Sequence, residues 1–492
     1  MSRPDRVPEG QGGGRQPSDR RKSSASKPVA RKGVPRKAAP RKPASTPPPE
    51  LPAPLARAWL FVRDGADAEA EALQKVREVV GSCPVLRADD DSEGALVVDQ
   101  APEAGVIALP RLGVLLVTAE EDRARALAML PEGDRPWGSA LLDEAGAEPA
   151  SAAEPVPGPP SPQEPAEPAF LAYLKGYRDA ADHMIRLYGA HAGLADVAST
   201  IGNPRPSASF RDDERGTWGL RATGILGSRF TGRGVKVAAL VDGLDAAHPD
   251  WLGRPIAARS FVGGTPTAGG ASGTHYLGTA LGPARPADGP RYGCAPDALP
   301  FVARVLSPDG TGTRLAIVAG IEWSVANGCR VILAPLGLGG PSPDPLLEAA
   351  CGRARRLGAL VIAGAGNNAR RSAGHFGFVV VPASCPSAVG VGSIDPRLRL
   401  ADFSPRGQPG QPGAVALVAP GVRLRSSLPR PDLYGEFSGS STAASFVAGV
   451  AALWAEAHPD ASSDSLLDLL RSSARRLDSP ASDVGAGLVQ AP

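Results

Sequence analysis

The sequence predicts an α/β protein. Its C-terminal part, residues 224–492, reads as a doubly wound parallel sheet, preceded by a small α+β unit and a disordered basic N-terminal arm. Three observations lead there. Short apolar runs alternate with helical stretches through the C-terminal part. A shorter mixture of strand-like and helix-like segments fills residues 55–143. Residues 1–54 hold no apolar run and repeat an Arg-Lys pair.

In the C-terminal part, the run 235–241 is apolar apart from Lys236, and 301–305, 331–336, 360–363, 379–381 and 388–391 behave alike. Helical stretches at 314–327 and 345–357 lie between several of them. Runs buried on both faces and joined by helices make a parallel sheet covered on both sides. Such sheets bind ligands at the C-terminal ends of their strands.

Residues 55–143 predict strands at 59–62, 95–98 and 113–118 and helices at 68–80 and 120–130, in a split βαβ order. Leu73, Val76, Val79 and Val80 give the first helix its apolar face. Residues 144–168 are rich in Ala, Glu and Pro and are expected to be a linker. Residues 169–223 form a helical lead-in. There Phe170, Leu174, Tyr177, Ala181 and Met184 share one face of a helix over 170–188, expected to pack on the next domain.

The arm is unbalanced in charge. Residues 1–50 carry 13 Lys or Arg against 4 Asp or Glu, in a chain whose net charge is +2. Arg31-Lys32, Arg36-Lys37 and Arg41-Lys42 recur among prolines. Such a segment cannot bury enough apolar surface to offset its ordering entropy. Its charge points to contact with a polyanion. No aromatic residue interleaves the charges, which argues against base stacking. The first residues show no apolar signal segment, and nowhere do 18 apolar residues run together. Cys83, Cys294, Cys329, Cys351 and Cys385 lack metal-ligand spacing. They read as reduced thiols, and the expected location is cytoplasmic.

Four motifs carry the chemistry. The first runs from Val237 through Val241-Asp242-Gly243-Leu244-Asp245 to His248-Pro249-Asp250. The second is Ser272-Gly273-Thr274-His275-Tyr276-Leu277-Gly278-Thr279, and the third is Gly364-Ala365-Gly366-Asn367-Asn368. The fourth is Gly439-Ser440-Ser441-Thr442-Ala443-Ala444-Ser445-Phe446-Val447-Ala448-Gly449. In that order they resemble the aspartate segment, the H-G-T-H-V-A-G-T segment, the A-G-N oxyanion segment and the G-T-S-M-A-x-P-H-V-A-G nucleophile segment of the subtilases, the subtilisin-like serine peptidases. The resemblance covers about 270 residues. It implies the subtilisin fold, and it likens residues 55–143 to the prodomains that precede secreted members.

By that resemblance Ser441 is the nucleophile and Asn367 the oxyanion side chain. The rest of the triad is missing. The family's catalytic histidine is the first of H-G-T-H, where this chain has Ser272, and His275 matches the second, structural histidine. Anchored on Gly243, the family aspartate falls on Val241, with Asp242 one place later. Strand side chains alternate faces, so that shift is expected to turn the carboxylate away. A serine hydroxyl needs a base in reach and a carboxylate behind the base. Of the remaining histidines, His183 and His191 precede the domain, His248 and His458 match family His-Pro positions, and His375, in the loop after Asn367, is the only free candidate. Leu336-Gly337-Leu338-Gly339 resembles the strand that pairs with substrate backbone, so an extended peptide could still add there.

The sequence therefore points to an inactive or severely impaired member that binds an extended polypeptide or acts as a scaffold. Two alternatives stay open: an active endopeptidase with a rearranged base, and an adaptor working through its arm. Restoring Ser272→His with Val241→Asp is expected to return activity if only the triad is damaged. No cofactor is implied, and calcium is left open because no calcium loop is recognisable.

Overall fold

The computed structural model describes residues 55–62, 67–88, 105–129, 137–142, 150–152, 209–407 and 413–492. The basic arm, the strand expected at 95–98 and the helix expected at 170–188 lie outside the described residues.

The small unit runs β1 (Leu55–Val62), α1 (Ala68–Val80), β2 (Val85–Arg87), β3 (Gly105–Leu109), β4 (Val114–Glu120), α2 (Glu121–Ala128) and β5 (Trp137–Leu142). Its sheet has the order β2-β3-β4-β1-β5, with only β2 and β3 parallel. Helix α1 forms because Ala68, Ala72, Val76 and Val80 recur every fourth residue among good helix formers. Strands β2, β3 and β5 escape a sequence reading. β2 is three residues long, and β3 is buried at all five positions, so neither shows alternation.

The sheet works on two faces, as period-2 strands require. Ala58, Leu60, Leu115 and Val117 pack under α1 and α2 in a core of the unit's own. Trp59, Ile107, Leu109, Val114 and Leu116 instead join the main core of the C-terminal domain, with Leu112 from the β3–β4 turn. The turn is pinned there by Glu322, a buried carboxylate that accepts the Arg111 and Leu112 N–H groups at 2.9 and 2.8 Å.

The remainder runs β6 (Ala150–Ala152), α3 (Trp218–Ala222), β7 (Lys236–Val241), β8 (Ala257–Ser260), α4 (Ala271–Leu281), β9 (Leu299–Arg304), β10 (Thr311–Gly312) and α5 (Arg314–Ala326). There follow β11 (Val331–Ala334), β12 (Leu336–Gly337), α6 (Pro345–Arg356), β13 (Leu360–Gly364), β14 (Val389–Ile394) and β15 (Leu417–Pro420). The chain closes with β16 (Leu424–Ser427), β17 (Tyr434–Phe437), α7 (Ser440–Ala457), α8 (Ser463–Ser472) and α9 (Ala481–Val484). Seven strands form one parallel sheet in the order β15-β14-β13-β11-β7-β9-β8. Strand order reverses beside β7, and the carboxyl ends there make the crevice such sheets use for ligands. Helix α7 is buried at every position from Ser440 to Leu453. That explains its nearly unbroken apolar and small-residue sequence.

Two expectations need correction. Residues 379–381 are not a strand of the large sheet. Val381 makes only an isolated bridge with Leu338, because the segment crosses beside the groove. The expected linker 144–168 contains β6, which lies antiparallel between β10 and β12. A run of small residues among prolines gives no strand signal of its own. The two flanking edges make it a strand.

Candidate active site

Three strand ends and two helix starts build the site. β7 ends at Val241, buried at the position of the family aspartate. β11 leads into Pro335, and β13 leads through Gly364 to Asn367. Helix α4 presents Ser272 at its first turn, and α7 presents Ser440 and Ser441. Gly364 allows the close approach of α7, because a Cβ there would lie 2.9 Å from the Ser441 nitrogen.

Asn367 is anchored by α7. Its Oδ1 accepts the Ser440 N–H at 2.9 Å, which leaves Nδ2 as the donor end of the amide. Ser440 in turn accepts the Gly366 N–H at 2.9 Å through its hydroxyl. Ser441 is 1% exposed, and its hydroxyl donates to the Pro335 carbonyl at 3.0 Å. No imidazole adjoins it among the described residues. Instead the phenol of Tyr276 adjoins Ser441 and Ser272, whose hydroxyls favour its ionised form against the effect of burial. Burial pushes this phenol upward, so it is neutral at any ordinary pH. A neutral phenol cannot take the Ser441 proton as an imidazole base would.

The displaced residues take structural posts. Asp242 does not turn away from the histidine segment as its register suggested. Its Oδ1 accepts the Gly273 N–H at 2.7 Å, and the Ser272 N–H also bonds this carboxylate. It lies beyond the end of β7, where strand alternation no longer governs direction, and it caps the start of α4. Burial raises its pKa while those N–H groups pull the other way. Asp245 takes the backbone N–H and guanidinium of Arg430, both at 3.0 Å.

His275 is fully buried and stacked on Phe437 at 4.1 Å, with Nε2 donating to the Leu424 carbonyl at 3.0 Å. Burial pushes its pKa down to about 3. His248 caps Asp250 and donates to the Leu433 carbonyl. His375 is exposed on a turn closed by Arg370, and His458 stacks on Trp454. His183 and His191 lie outside the described residues. No group of three or more His, Cys, Asp or Glu side chains forms a metal site among the described residues. No described helix is long and apolar enough to cross a membrane.

The neutral His275 gives a signed pH dependence. Its folded pKa lies below the unfolded value of 6.5, so the unfolded chain binds a proton that the native state refuses. This group's contribution to stability is present above about pH 6.5 and declines as pH falls toward 3. The slope is at most about 1.4 kcal/mol per pH unit. Urea midpoints between pH 7 and 4 should fall more steeply for the wild type than for His275→Gln. Equal slopes would remove His275 as the cause.

The groove passes beside Ser441. Leu336 and Gly337 of β12 pair with Ala152 and Ser151, and Thr311 and Gly312 of β10 pair with Ser151 and Ala150. Leu338 donates its N–H to the Val381 carbonyl and so faces the wall of the groove, while Gly339 is exposed beyond it. Between Gly337 and Gly366 stands Val380. Its methyls lie 3.2 and 3.1 Å from where a Cβ on those glycines would sit.

A parallel sheet with a buried serine helix, an oxyanion-type Asn and an edge that takes up an extended strand defines a subtilisin-like peptidase architecture. The chain belongs to the subtilase family of serine peptidases, whose family profile matches residues 232–488. It is 35% identical over 263 residues to a subtilisin of Bacillus pumilus, covering 53% of this chain and 90% of that one. It is 36% identical over 279 residues to subtilisin BL of Lederbergia lenta, covering 56% and 96%. Among solved structures it resembles fervidolysin of Fervidobacterium pennivorans, a keratinolytic enzyme related to subtilisin. There the TM-score is 0.59 at 22% identity, over 89% of this chain and 60% of that one, a likeness of fold.

Tyr276 is the neighbour of Ser441 that sequence reasoning passed over. The signal was available, because the subtilase segment H-G-T-H-V has valine where this chain has tyrosine.

Proposed function

We propose that this protein is a non-catalytic subtilase whose groove holds an extended polypeptide strand, with its own segment 150–152 as the resident ligand. The observation that carries this reading is β6. It completes a three-stranded antiparallel sheet between β10 and β12, immediately beside the Pro335 carbonyl that holds the Ser441 proton. Main-chain pairing of this kind provides affinity, and side-chain pockets select the sequence. Val380 fills the slot beside Gly337, which favours small side chains in a paired strand.

The chemistry supports the same reading. Loss of the base costs roughly 10⁶ in kcat in subtilisin itself, a relative of this chain. The neutral Tyr276 cannot supply that function. A fluorophosphonate probe is therefore expected to label Ser441 at least ~10³-fold more slowly than it labels an active subtilase. Labelling at an ordinary rate, abolished by Ser441→Ala, would overturn the non-catalytic reading in favour of a rearranged base.

Occupancy of the groove has its own test. A tethered strand competes at an effective concentration in the millimolar range. Ser151→Pro removes the N–H at the centre of β6. It is expected to raise the affinity for an added Ala-Ser-Ala-containing peptide by about tenfold or more, read by fluorescence anisotropy. Equal affinities in the two proteins would show that β6 does not compete for the groove.

A further inference from the structure

We infer that Tyr276 is a positioning residue that fills the place of the missing catalytic base and engages the Ser441 hydroxyl, so that trimming it to valine opens a site for a small aromatic base such as imidazole. This rests on the non-catalytic reading above and adds the reason why the site is closed.

Ser272 and Tyr276 stand four apart on α4, so their side chains lie one above the other on the same face. Helical side chains lean toward the N-terminus, which carries the phenol over Ser272. There it meets the Ser441 hydroxyl at the start of α7. The ring is 2% exposed and packs edge-on against His275 and Phe437, with centroids 6.0 and 6.3 Å away. A serine at 272 cannot fill the volume of an imidazole, and a tyrosine one turn later does. The two departures from H-G-T-H-V, serine for histidine and tyrosine for valine, thus occupy one space.

The chemistry follows from the vacated volume. Apolar cavities left by trimmed core side chains take up small aromatic molecules. An imidazole seated between Ser272 and Ser441 would accept the Ser441 proton as Oγ attacks the phosphorus of a fluorophosphonate. The O–P bond forms, the P–F bond breaks, fluoride leaves and the proton stays on imidazolium. Asp242, at the start of the same helix, supplies a nearby carboxylate.

The test is probe labelling of Ser441 in wild type, Tyr276→Val and Tyr276→Phe, with and without imidazole, read by mass spectrometry. A parallel set carries Ser151→Pro so that β6 does not block the probe. Tyr276→Val is expected to gain labelling about 10²-fold or more, saturating with imidazole. The gain should rise with pH through about 6.5 to 7 as the free base forms. Tyr276→Phe keeps the ring and is expected to show no gain, which separates filling of the space from the hydroxyl's own bonds. Folded Tyr276→Val, verified by thermal melting, with no imidazole-dependent labelling in either set would overturn the inference. Equal gains in Tyr276→Phe would also overturn it. Rapid labelling of the wild type without imidazole would instead overturn the non-catalytic reading.

Discussion

Ser272→His with Val241→Asp is expected to give no peptidase activity, and adding Tyr276→Val to the pair is expected to switch activity on. The two-site variant supplies both missing groups in name only. Its new imidazole must enter a space already held by a buried phenol that adjoins positions 272 and 441. Overfilling a packed site forces side chains off their rotamers and costs about 1–3 kcal/mol. An imidazole displaced by an ångström no longer reaches the nucleophile. With valine at 276 the ring has room, and Ser441 loses a competing partner. In subtilisin, a relative of this chain, loss of the histidine costs roughly 10⁶ and loss of the aspartate roughly 10⁴. With Ser151→Pro in both proteins to clear β6 from the groove, the triple variant is therefore expected to exceed the double by on the order of 10³ in hydrolysis of a chromogenic peptide. The departures at Ser445 and Phe446 keep it short of full activity. Equal rates in double and triple variants would show that Tyr276 does not block the base position.

The second large effect falls on stability. Glu322 is buried in α5 and accepts two N–H groups from the β3–β4 turn of the small unit. Glu322→Ala leaves both donors without their acceptor beneath a turn whose Leu112 is fully buried in the main core. Hydrogen bonds to a charged group are worth about 1.5–3 kcal/mol each, and unsatisfied buried donors add to the loss. A drop of about 3–5 kcal/mol is expected from urea unfolding. The small unit should become the first site of limited proteolysis, since its docked face carries Trp59, Ile107 and Leu109. Glu322→Gln keeps one acceptor oxygen and should lose about half as much. A wild-type melting profile for Glu322→Ala would mean that the apolar contact alone docks the unit.

The sequence by itself determined the parallel sheet, the order of the four motifs and the residues that stand in them, Ser272 and Val241 included. Each of these is local. A buried strand declares itself by an unbroken apolar run, and a serine where a motif has histidine is read at one position. The sequence also marked Ser441 and Asn367, and the fold sets Asn367 against the start of the helix that carries Ser441.

Tertiary structure alone decided the rest, because each remaining feature depends on groups far apart in the chain. The direction of Asp242 is set by the N–H groups of α4, 31 residues on. The strand at 150–152 exists only because β10 and β12 offer two edges. Glu322 finds its partners some 210 residues earlier. Tyr276 is visible in the sequence as an odd residue in a familiar motif. Only the packing of α4 on α7 puts its phenol in the place of the base.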